Sequence, residues 1–407
     1  MSELYKLPAG WEWKKLGEEC LFENGDRGKN YPSKSAFVSK GIPVVSATNL
    51  TGWSIDRSKL NFITEERYNL IGGGKIKKND ILFCLRGSLG KCALVTDIER
   101  GVIASSLVII RTCENLSNIF LMYYLNSHLI QDFINKYNNG AAQPNLSAKN
   151  LSLFNIPLPP LAEQKRIVAK LDSLFEKIDK AIELHQQNIT NANTLMASTL
   201  DKTFKKLEGE YSLIPLHKIT TAVGGGTPKR NIKEYWGNGE IVWLSPTDLG
   251  AIGEILNIRE SRDKITELGL SKSSARLLPV GTVLYSSRAT IGKIAINEIE
   301  VCTNQGFTNF ICDKDKIYNY FLAYSLAKYT EEITSLSNST TFKEVSKTSI
   351  KKFEIPLPPL PIQQQTVEYL DSIATKVDKI KQLNEQKLEN LKALKASILD
   401  KAFRGEL

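Results

Sequence analysis

Two hexapeptides place the same cations around the same kind of turn. Arg86-Gly87-Ser88-Leu89-Gly90-Lys91 follows the apolar run Ile81-Leu82-Phe83, and Arg288-Ala289-Thr290-Ile291-Gly292-Lys293 follows Val283-Leu284-Tyr285. Glycine permits a tight turn and close approach of backbone to a ligand. Arginine presents a planar fork suited to phosphate or guanine, and lysine a mobile charge. A hairpin with solvated charges is the plainer reading, but repetition of both cations favours binding. Ser46-Ala47-Thr48-Asn49 and Ser245-Pro246-Thr247-Asp248 form a second repeated pair of polar strand ends. Asparagine can pair with adenine, threonine can meet a thymine methyl, and aspartate can accept from cytosine. The exchange of Asn49 for Asp248 is what two readers of different sequences would show. Further cations flank turns and would serve as phosphate contacts. The expected nucleic-acid-binding set is Arg27, Lys29, Ser46, Thr48, Asn49, Lys75, Lys77, Arg86, Ser88 and Lys91 in the first half. In the second half it is Thr227, Lys229, Arg230, Ser245, Thr247, Asp248, Arg288, Thr290 and Lys293.

Catalytic patterns are missing. His128, His185 and His217 are scattered, which suggests neither a metal cluster nor a histidine-based triad. Gly90-Lys91 and Gly292-Lys293 lack the upstream glycine of a phosphate loop. Gly72-Gly73-Gly74 and Gly224-Gly225-Gly226 could cradle a phosphate, but flexible turns are the simpler expectation. Glu163-Gln164-Lys165 has the E-x-K spacing of many nucleases; at a helix start after prolines, Glu163 is read as complementing the helix dipole. No [ND]-P-P-[YF] methyltransferase motif occurs. The six cysteines form no C-x-x-C pair and cluster with no histidine, so reduced, mostly buried thiols are expected and metal ligation is not. The chain is expected to be non-catalytic, without a cofactor or metal of its own.

The elements that would position these residues repeat as well. Ile156–Leu161 and Ile355–Leu360 both read I-P-L-P-P-L. Each opens a long helical pattern that closes on a shared phrase, Ala197-Ser198-Thr199-Leu200-Asp201-Lys202-Thr203-Phe204 and Ala396-Ser397-Ile398-Leu399-Asp400-Lys401-Ala402-Phe403. Pro157 to Pro356 and Phe204 to Phe403 share one offset (356 − 157 = 403 − 204 = 199), so the chain is a tandem duplication. The order is globule (1–155), proline turn and helix (156–207), globule (208–354), proline turn and helix (355–407). Short β-branched runs in the globules read as strands, and 118–137, with Ile119, Tyr123, Leu129, Phe133 and Ile134, as one amphipathic helix. The first long helix should run uninterrupted for about 65 Å at 1.5 Å per residue and end at Glu208-Gly209-Glu210. Apolar residues at heptad spacing form an expected helix-pair seam: Val168, Leu171, Phe175, Ile178, Ile182 and Ile189 against Val367, Leu370, Val377 and Leu391, with Ile380 and Leu394 on the same stripe. His185 and its repeat partner Asn384 either form a buried polar pair that fixes register or face solvent. The fold class is α+β: two similar mixed α/β domains joined by two long antiparallel helices, in a pseudo-two-fold repeat with the termini close together.

Charge sets bounds on the partner. The net charge of +9 suggests an anion. Residues 1–155 hold 19 Lys/Arg against 14 Asp/Glu, and residues 208–354 hold 18 against 17, so the second globule must bind through a local face. No apolar run approaches the length of a membrane span and the start lacks a secretory h-region, so a cytoplasmic location is expected.

At these residues the chain resembles the specificity (S) subunits of type I restriction–modification systems. The resemblance rests on the doubled I-P-L-P-P-L plus helix and on Gly226-Thr227-Pro228, Tyr235-Trp236-Gly237, Ile241-Val242-Trp243 and Arg288 with Gly292-Lys293. In the first half Gly25-Asp26-Arg27-Gly28 stands in place of Gly226-Thr227-Pro228, and no Tyr-Trp follows. The resemblance implies two target recognition domains that read the halves of a split site in double-stranded DNA. It implies helices that act as a spacer and dock two methyltransferase (M) subunits, with motor-nuclease (R) subunits added for cleavage. S-adenosylmethionine, ATP and Mg would belong to those partners, and adenine N6 would be the methylated atom. The rival readings are a standalone DNA-modifying enzyme and a protein-binding spacer with degenerate domains.

Overall fold

The computed structural model describes residues 5–28, 31–137, 145–337 and 343–407. The chain divides into two compact units: residues 1–185 with Gln386–Leu407, and Gln186–Glu385. Each unit therefore holds one globule, one half of the first long helix (Leu161–Glu210) and one half of the second (Leu360–Arg404).

In unit 1 the apolar runs form two four-stranded sheets. One orders Cys20–Asn24, Leu107–Thr112, Ile81–Cys84 and Cys92–Leu94, all antiparallel. The other orders Asn61–Ile63, Ile42–Val45, Gly101–Ile103 and Lys75–Ile76, with Ile42–Val45 parallel to Gly101–Ile103. Ile81–Cys84 is buried at every position, which is why it reads as a continuous apolar run instead of an alternation. Unit 2 repeats the plan: Thr220–Gly224, Phe307–Cys312, Val283–Ser286, Ile294–Asn297 and Ile255–Ile258 in one sheet, and Asp263–Ile265, Ile241–Leu244 and Val301–Thr303 in the other.

The prolines sit at strand edges. Asn155–Leu158 pairs with Glu12–Lys15, and Glu354–Pro356 with Leu213–Pro215. An edge strand tolerates a residue without an N–H. The helix then starts, and a glutamine locks it to the globule. Gln164 Nε2 donates to the carbonyls of Asn115 and Pro159, and its Oε1 accepts from the Ser117 amide. Gln363 repeats this with Lys316, Pro358 and Tyr318. Both side chains are fully buried.

The shared closing phrases drive phenylalanines into the cores. Phe403 is fully buried in unit 1, edge-on to Phe120 at 5.2 Å and Tyr124 at 5.3 Å. Phe204 is fully buried in unit 2 against Phe321 and Tyr329. In unit 1 the helices run antiparallel, with Lys395 on Asp179 at 2.7 Å and Arg166 donating to the Leu407 carbonyl at 2.6 Å. In unit 2 Asn188 donates to Asn384 at 3.3 Å, and Asn384 is half-buried. The first helix begins on the globule of unit 1 and ends in that of unit 2; the second does the reverse. The chain ends meet as expected, since Tyr5 Oη donates to the Phe403 carbonyl at 2.7 Å.

Three expectations need correction. First, 118–137 is two helices, Asn118–Leu125 and His128–Tyr137. Asn126 Nδ2 and Ser127 Oγ turn back onto the Met122 and Tyr124 carbonyls and end the first, which is buried from Phe120 to Leu125 and so lacks a polar face. Second, the first long helix ends at the expected Glu208-Gly209-Glu210 but at its last residue, so it overruns the 156–207 segment and passes through Gly209. Buried Leu207 and the Tyr329 hydroxyl on Glu208 at 2.5 Å outweigh glycine's penalty of about 1 kcal/mol. Third, the seam is only partly a helix–helix seam. Leu171, Ile178, Val367, Leu370 and Val377 are buried, while Val168, Phe175, Ile182, Ile189 and Leu391 are half-buried. Leu171, Val168 and Phe175 pack into the unit 1 core, and Val367 and Leu370 into that of unit 2. Ile380 and Leu394 are 38% and 46% exposed. Heptad spacing finds the apolar stripe but cannot distinguish a globule from a second helix as what covers it.

Candidate nucleic-acid interface

Four connections converge at one end of the unit 2 sheets: the loop after Thr220–Gly224, the turn after Ile241–Leu244, the Arg288–Lys293 turn, and the link between Val301–Thr303 and Phe307–Cys312. The last three line an open depression of about 430 Å³ whose polar groups include Thr247, Arg288, Thr290, Asn304 and Gln305. Thr227 joins through Gln305, Oγ1 to Oε1 at 2.5 Å. The same connections meet in unit 1. The Leu85 amide donates to Ser106, the Ala104 amide to Val45, and Arg27 Nη2 to the Ser105 carbonyl at 3.4 Å.

The turn chemistry explains the repeated glycines. Gly292 has φ +98°, and a Cβ there would lie 2.3 Å from Thr330 Cγ2. Gly87 has φ +75°; its counterpart Ala289 holds φ +61°, at a cost of about 1 kcal/mol for an L-residue. The Ala289 amide offsets this by donating to the Lys343 carbonyl at 3.0 Å. Each arginine is steered by the segment that bridges back onto it. Arg86 Nε donates to Asn145 Oδ1 at 3.0 Å, and Arg288 Nε lies 3.5 Å from Glu344 Oε2. Both arginines are exposed. An exposed ion pair is worth about 0–1 kcal/mol, so Glu344 orients Arg288 without competing strongly against a phosphate. Thr48, Ser88 and Lys91 in unit 1, and Thr247, Thr290 and Lys229 in unit 2, are also exposed.

Several expected contacts have structural duties instead. Asn49 is 2% exposed; its Oδ1 accepts from the Ser46 amide at 2.9 Å and hydroxyl at 2.8 Å, and its Nδ2 donates to the Lys59 carbonyl. Asp248 Oδ2 caps the Ser245 amide and hydroxyl in the same way, both at 2.8 Å. The Asn/Asp exchange therefore swaps one capping acceptor for another: Asn49 is sealed in its cap, and half-buried Asp248 commits Oδ2 to its own. Ser46 and Ser245 are half-buried beside Thr48 and Thr247. Lys293 Nζ is spent on the carbonyls of Pro246 and Leu249, at 2.9 and 3.1 Å, and ties two turns together. Its counterpart Lys91 is exposed. Arg230 stacks on Trp236 at 3.8 Å and pairs with Asp263 at 2.7 Å. Lys75 lies over the Tyr68 ring, while Lys77 is exposed. Lys29 falls outside the described residues.

The glycine triplets are neither phosphate cradles nor flexible turns. The Gly74 and Lys75 amides donate to Glu23 Oε1, and Gly72 to Asp26 Oδ2, so the chain's own carboxylates occupy the first. Arg111 fixes Glu23 and forks onto Asp80 at 2.8 and 3.0 Å. Burial alone would raise the Glu23 carboxyl, but Arg111 and the two amides outweigh it and hold it below the ordinary range. At the second triplet, a Cβ on Gly225 would lie 2.2 Å from the Thr303 carbonyl, so close backbone packing demands glycine there. Glu163, at the first turn of its helix, also pairs with Arg166 at 2.7 Å. Cys20, Cys84, Cys92 and Cys302 are buried, and burial pushes the Cys20 and Cys302 thiols up to about 12. Among the described residues no group of three or more His, Cys, Asp or Glu could hold a metal ion.

Sequence reasoning missed Asn304 and Gln305. Their signal is the Asn-Gln-Gly link between two strands, where Asn304 Oδ1 caps the Gly306 amide at 2.8 Å.

A family model described as the type I restriction modification DNA specificity domain matches residues 8–192 and again 210–392. The MjaIX type I restriction enzyme specificity subunit of Methanocaldococcus jannaschii is 36% identical over 182 residues, which is 44% of this chain and 41% of that one. The StySPI type I restriction enzyme specificity subunit of Salmonella potsdam is 25% identical over 99% of this chain and 90% of its own. A solved structure described as the structural basis of complex assembly and conformational transition of the type I R-M system superposes with a TM-score of 0.80 at 25% identity, covering 99% of this chain and 100% of that chain.

Proposed function

The chain belongs to the family of the type I restriction modification DNA specificity domain, which it carries twice, and from this premise we propose how its two units divide the work. It is a specificity subunit with two DNA recognition domains, and it is a non-catalytic component. The exposed turns around Arg86 in unit 1 and Arg288 in unit 2 each read one half of a split site in double-stranded DNA. Arg288, Thr247, Thr290 and Gln305 are the unit 2 groups placed to touch base edges or phosphates; Arg86, Thr48, Ser88 and Lys91 are those of unit 1. One observation carries this reading: the same four connections build the same cation-bearing end twice, on chain segments related by the internal repeat.

The paired long helices are the spacer between the two readings and the docking surface for two methyltransferase subunits. Each unit leaves leucines of both helices in solvent: Leu184 and Leu394 in unit 1, Leu195 and Leu383 in unit 2, from 46% to 58% exposed. Residues 184 and 383, and 195 and 394, are related by the repeat offset of 199. The methyl donor S-adenosylmethionine, with adenine N6 as acceptor, belongs to the methyltransferase partners, and ATP and Mg to the restriction partners. Among the described residues no helix is long and apolar enough to cross a membrane, which accords with work on DNA in the cytoplasm.

Co-expression with the methyltransferase subunit, followed by mapping of methylated adenines, tests the reading. The expected result is a split motif with a fixed gap. Methylation at a continuous motif, or a stable complex that leaves DNA unmethylated, would refute it.

A further inference from the structure

The two units differ where the globule meets the helix pair. In unit 1 a column of side chains fills that space. Trp53 stacks edge-on against Tyr123 at 4.5 Å, and Tyr123 against Phe175 at 5.7 Å. Lys395 lies 4.6 Å above the Phe175 ring and pairs with Asp179 at 2.7 Å. The unit 2 counterparts follow from the repeat. Tyr324 keeps the role of Tyr123, since its hydroxyl donates to Asp371 as that of Tyr123 does to Asp172. At the offset of 199, Phe175 becomes Ala374, Lys395 becomes Met196, and Asp179 remains an aspartate, Asp378. The loop that carries Trp53 carries Ala251, Ile252 and Gly253 instead.

A cavity of about 760 Å³ opens in unit 2 at this place, lined by Met196, Ile252, Tyr324, Ala374 and Asp378 among others. Two aromatic rings and one ammonium have been deleted, and the aspartate that answered the ammonium has been kept. Among the described residues Asp378 makes no ion pair, although Lys381 also borders the cavity. Ile252 is 56% exposed beside the opening. The lining mixes apolar side chains with two carboxylates, Glu254 and Asp378, and Lys381; Glu254 already caps the Ala251 amide at 2.9 Å, and an ammonium over a ring beside the remaining carboxylate gains from both. Unit 1 thus displays, in its own side chains, the chemistry that unit 2 lacks.

We propose that the unit 2 cavity is a docking socket for a protein segment that presents an aromatic ring next to a lysine or arginine, contributed by the methyltransferase subunit. The ring fills the space of Trp53 and Phe175, and the cation takes the place of Lys395 on Asp378. A protein fits better than a small molecule because the helices of unit 2 also expose Leu195 and Leu383. In unit 1 the column of Trp53, Tyr123, Phe175 and Lys395 occupies this place, so two copies of one methyltransferase would meet unlike sites. The identity of the partner rests on the function proposed above; the socket and its chemistry do not.

The test compares the full chain with Ala374→Phe/Met196→Lys, which rebuilds the unit 1 column in unit 2, and with Asp378→Asn, which removes only an exposed charge. Binding of purified methyltransferase subunit is titrated by calorimetry. The wild type should bind in two unequal steps. The column variant should lose the tighter step by tenfold or more while its thermal midpoint holds or rises. Asp378→Asn should weaken the same step several-fold, with a reduced dependence on salt. Unchanged two-step binding in a folded column variant, or in Asp378→Asn if the other fails to fold, overturns the socket. A wild type that binds no methyltransferase at all would instead overturn the proposed function.

Discussion

Phe403 lies four positions before Leu407, yet its removal should unfold the opposite end of the sequence. Its ring is fully buried in the unit 1 core between Phe120 and Tyr124, while Tyr5 Oη reaches its carbonyl. Phe403→Ala deletes six ring carbons' worth of packing from a site whose walls are strands and a buried helix, with little room to collapse. Core Phe→Ala changes cost about 3–5 kcal/mol. The Tyr5 bond to the backbone survives in this variant, so the loss isolates the ring. The whole effect should fall on unit 1, because unit 2 has its own plug in Phe204. Native-state hydrogen exchange read by peptide is the right assay, since two units need not unfold together. Slow amides of Ile81–Cys84 and Leu107–Thr112 should exchange roughly a hundredfold or more faster, while those of Val283–Ser286 and Phe307–Cys312 stay as they were. Phe204→Ala should give the mirror result. Equal acceleration in both units, or a unit 1 loss below about 1 kcal/mol, would refute the assignment of the chain's end to the first globule.

Other perturbations separate reading from scaffolding. Arg288→Ala should cost about 1–3 kcal/mol of DNA affinity and relax preference in one half-site only, with Arg86→Ala acting on the other; footprinting on sites altered one half at a time would show it. Asp248→Ala and Asn49→Ala should each lower stability by about 1 kcal/mol as lost caps and leave base preference untouched, which selection from a randomised site would check. Gly292→Ala should destabilise unit 2, because the added methyl meets Thr330 at positive φ, and thermal unfolding would detect it. Glu23 is depressed from its ordinary value of 4.5, so its contribution is complete above that pH and is lost as pH falls through the lower, native value. Unit 1 should loosen on acidification in hydrogen exchange, and Glu23→Gln should be less stable at neutral pH with a flatter acid profile.

The duplication, the succession of strand-rich globule and long helix, the apolar stripes and the absence of catalytic patterns all follow from residue types at fixed spacing, which local chemistry and periodicity determine. The binding turns were legible for the same reason: Arg-x-x-x-Gly-Lys after an apolar run states both a turn and its charge. What each polar group is committed to was not legible. Asn49 and Asp248 look like base readers until the Ser46 and Ser245 amides turn back onto them, and Lys293 looks like a phosphate contact until the Pro246 and Leu249 carbonyls close around it. Heptads specify that a residue is covered, not by what, so the division of the seam between helix and globule waited on three dimensions. The same holds for the aromatic column of unit 1 and the hollow in unit 2. Trp53, Phe175 and Lys395 are 122 and 220 residues apart along the chain (175 − 53 and 395 − 175), and only packing makes them neighbours. Sequence determines local conformation and its repetition, whereas tertiary contact decides which hydrogen bonds and apolar surfaces are already spent and which are left for a partner.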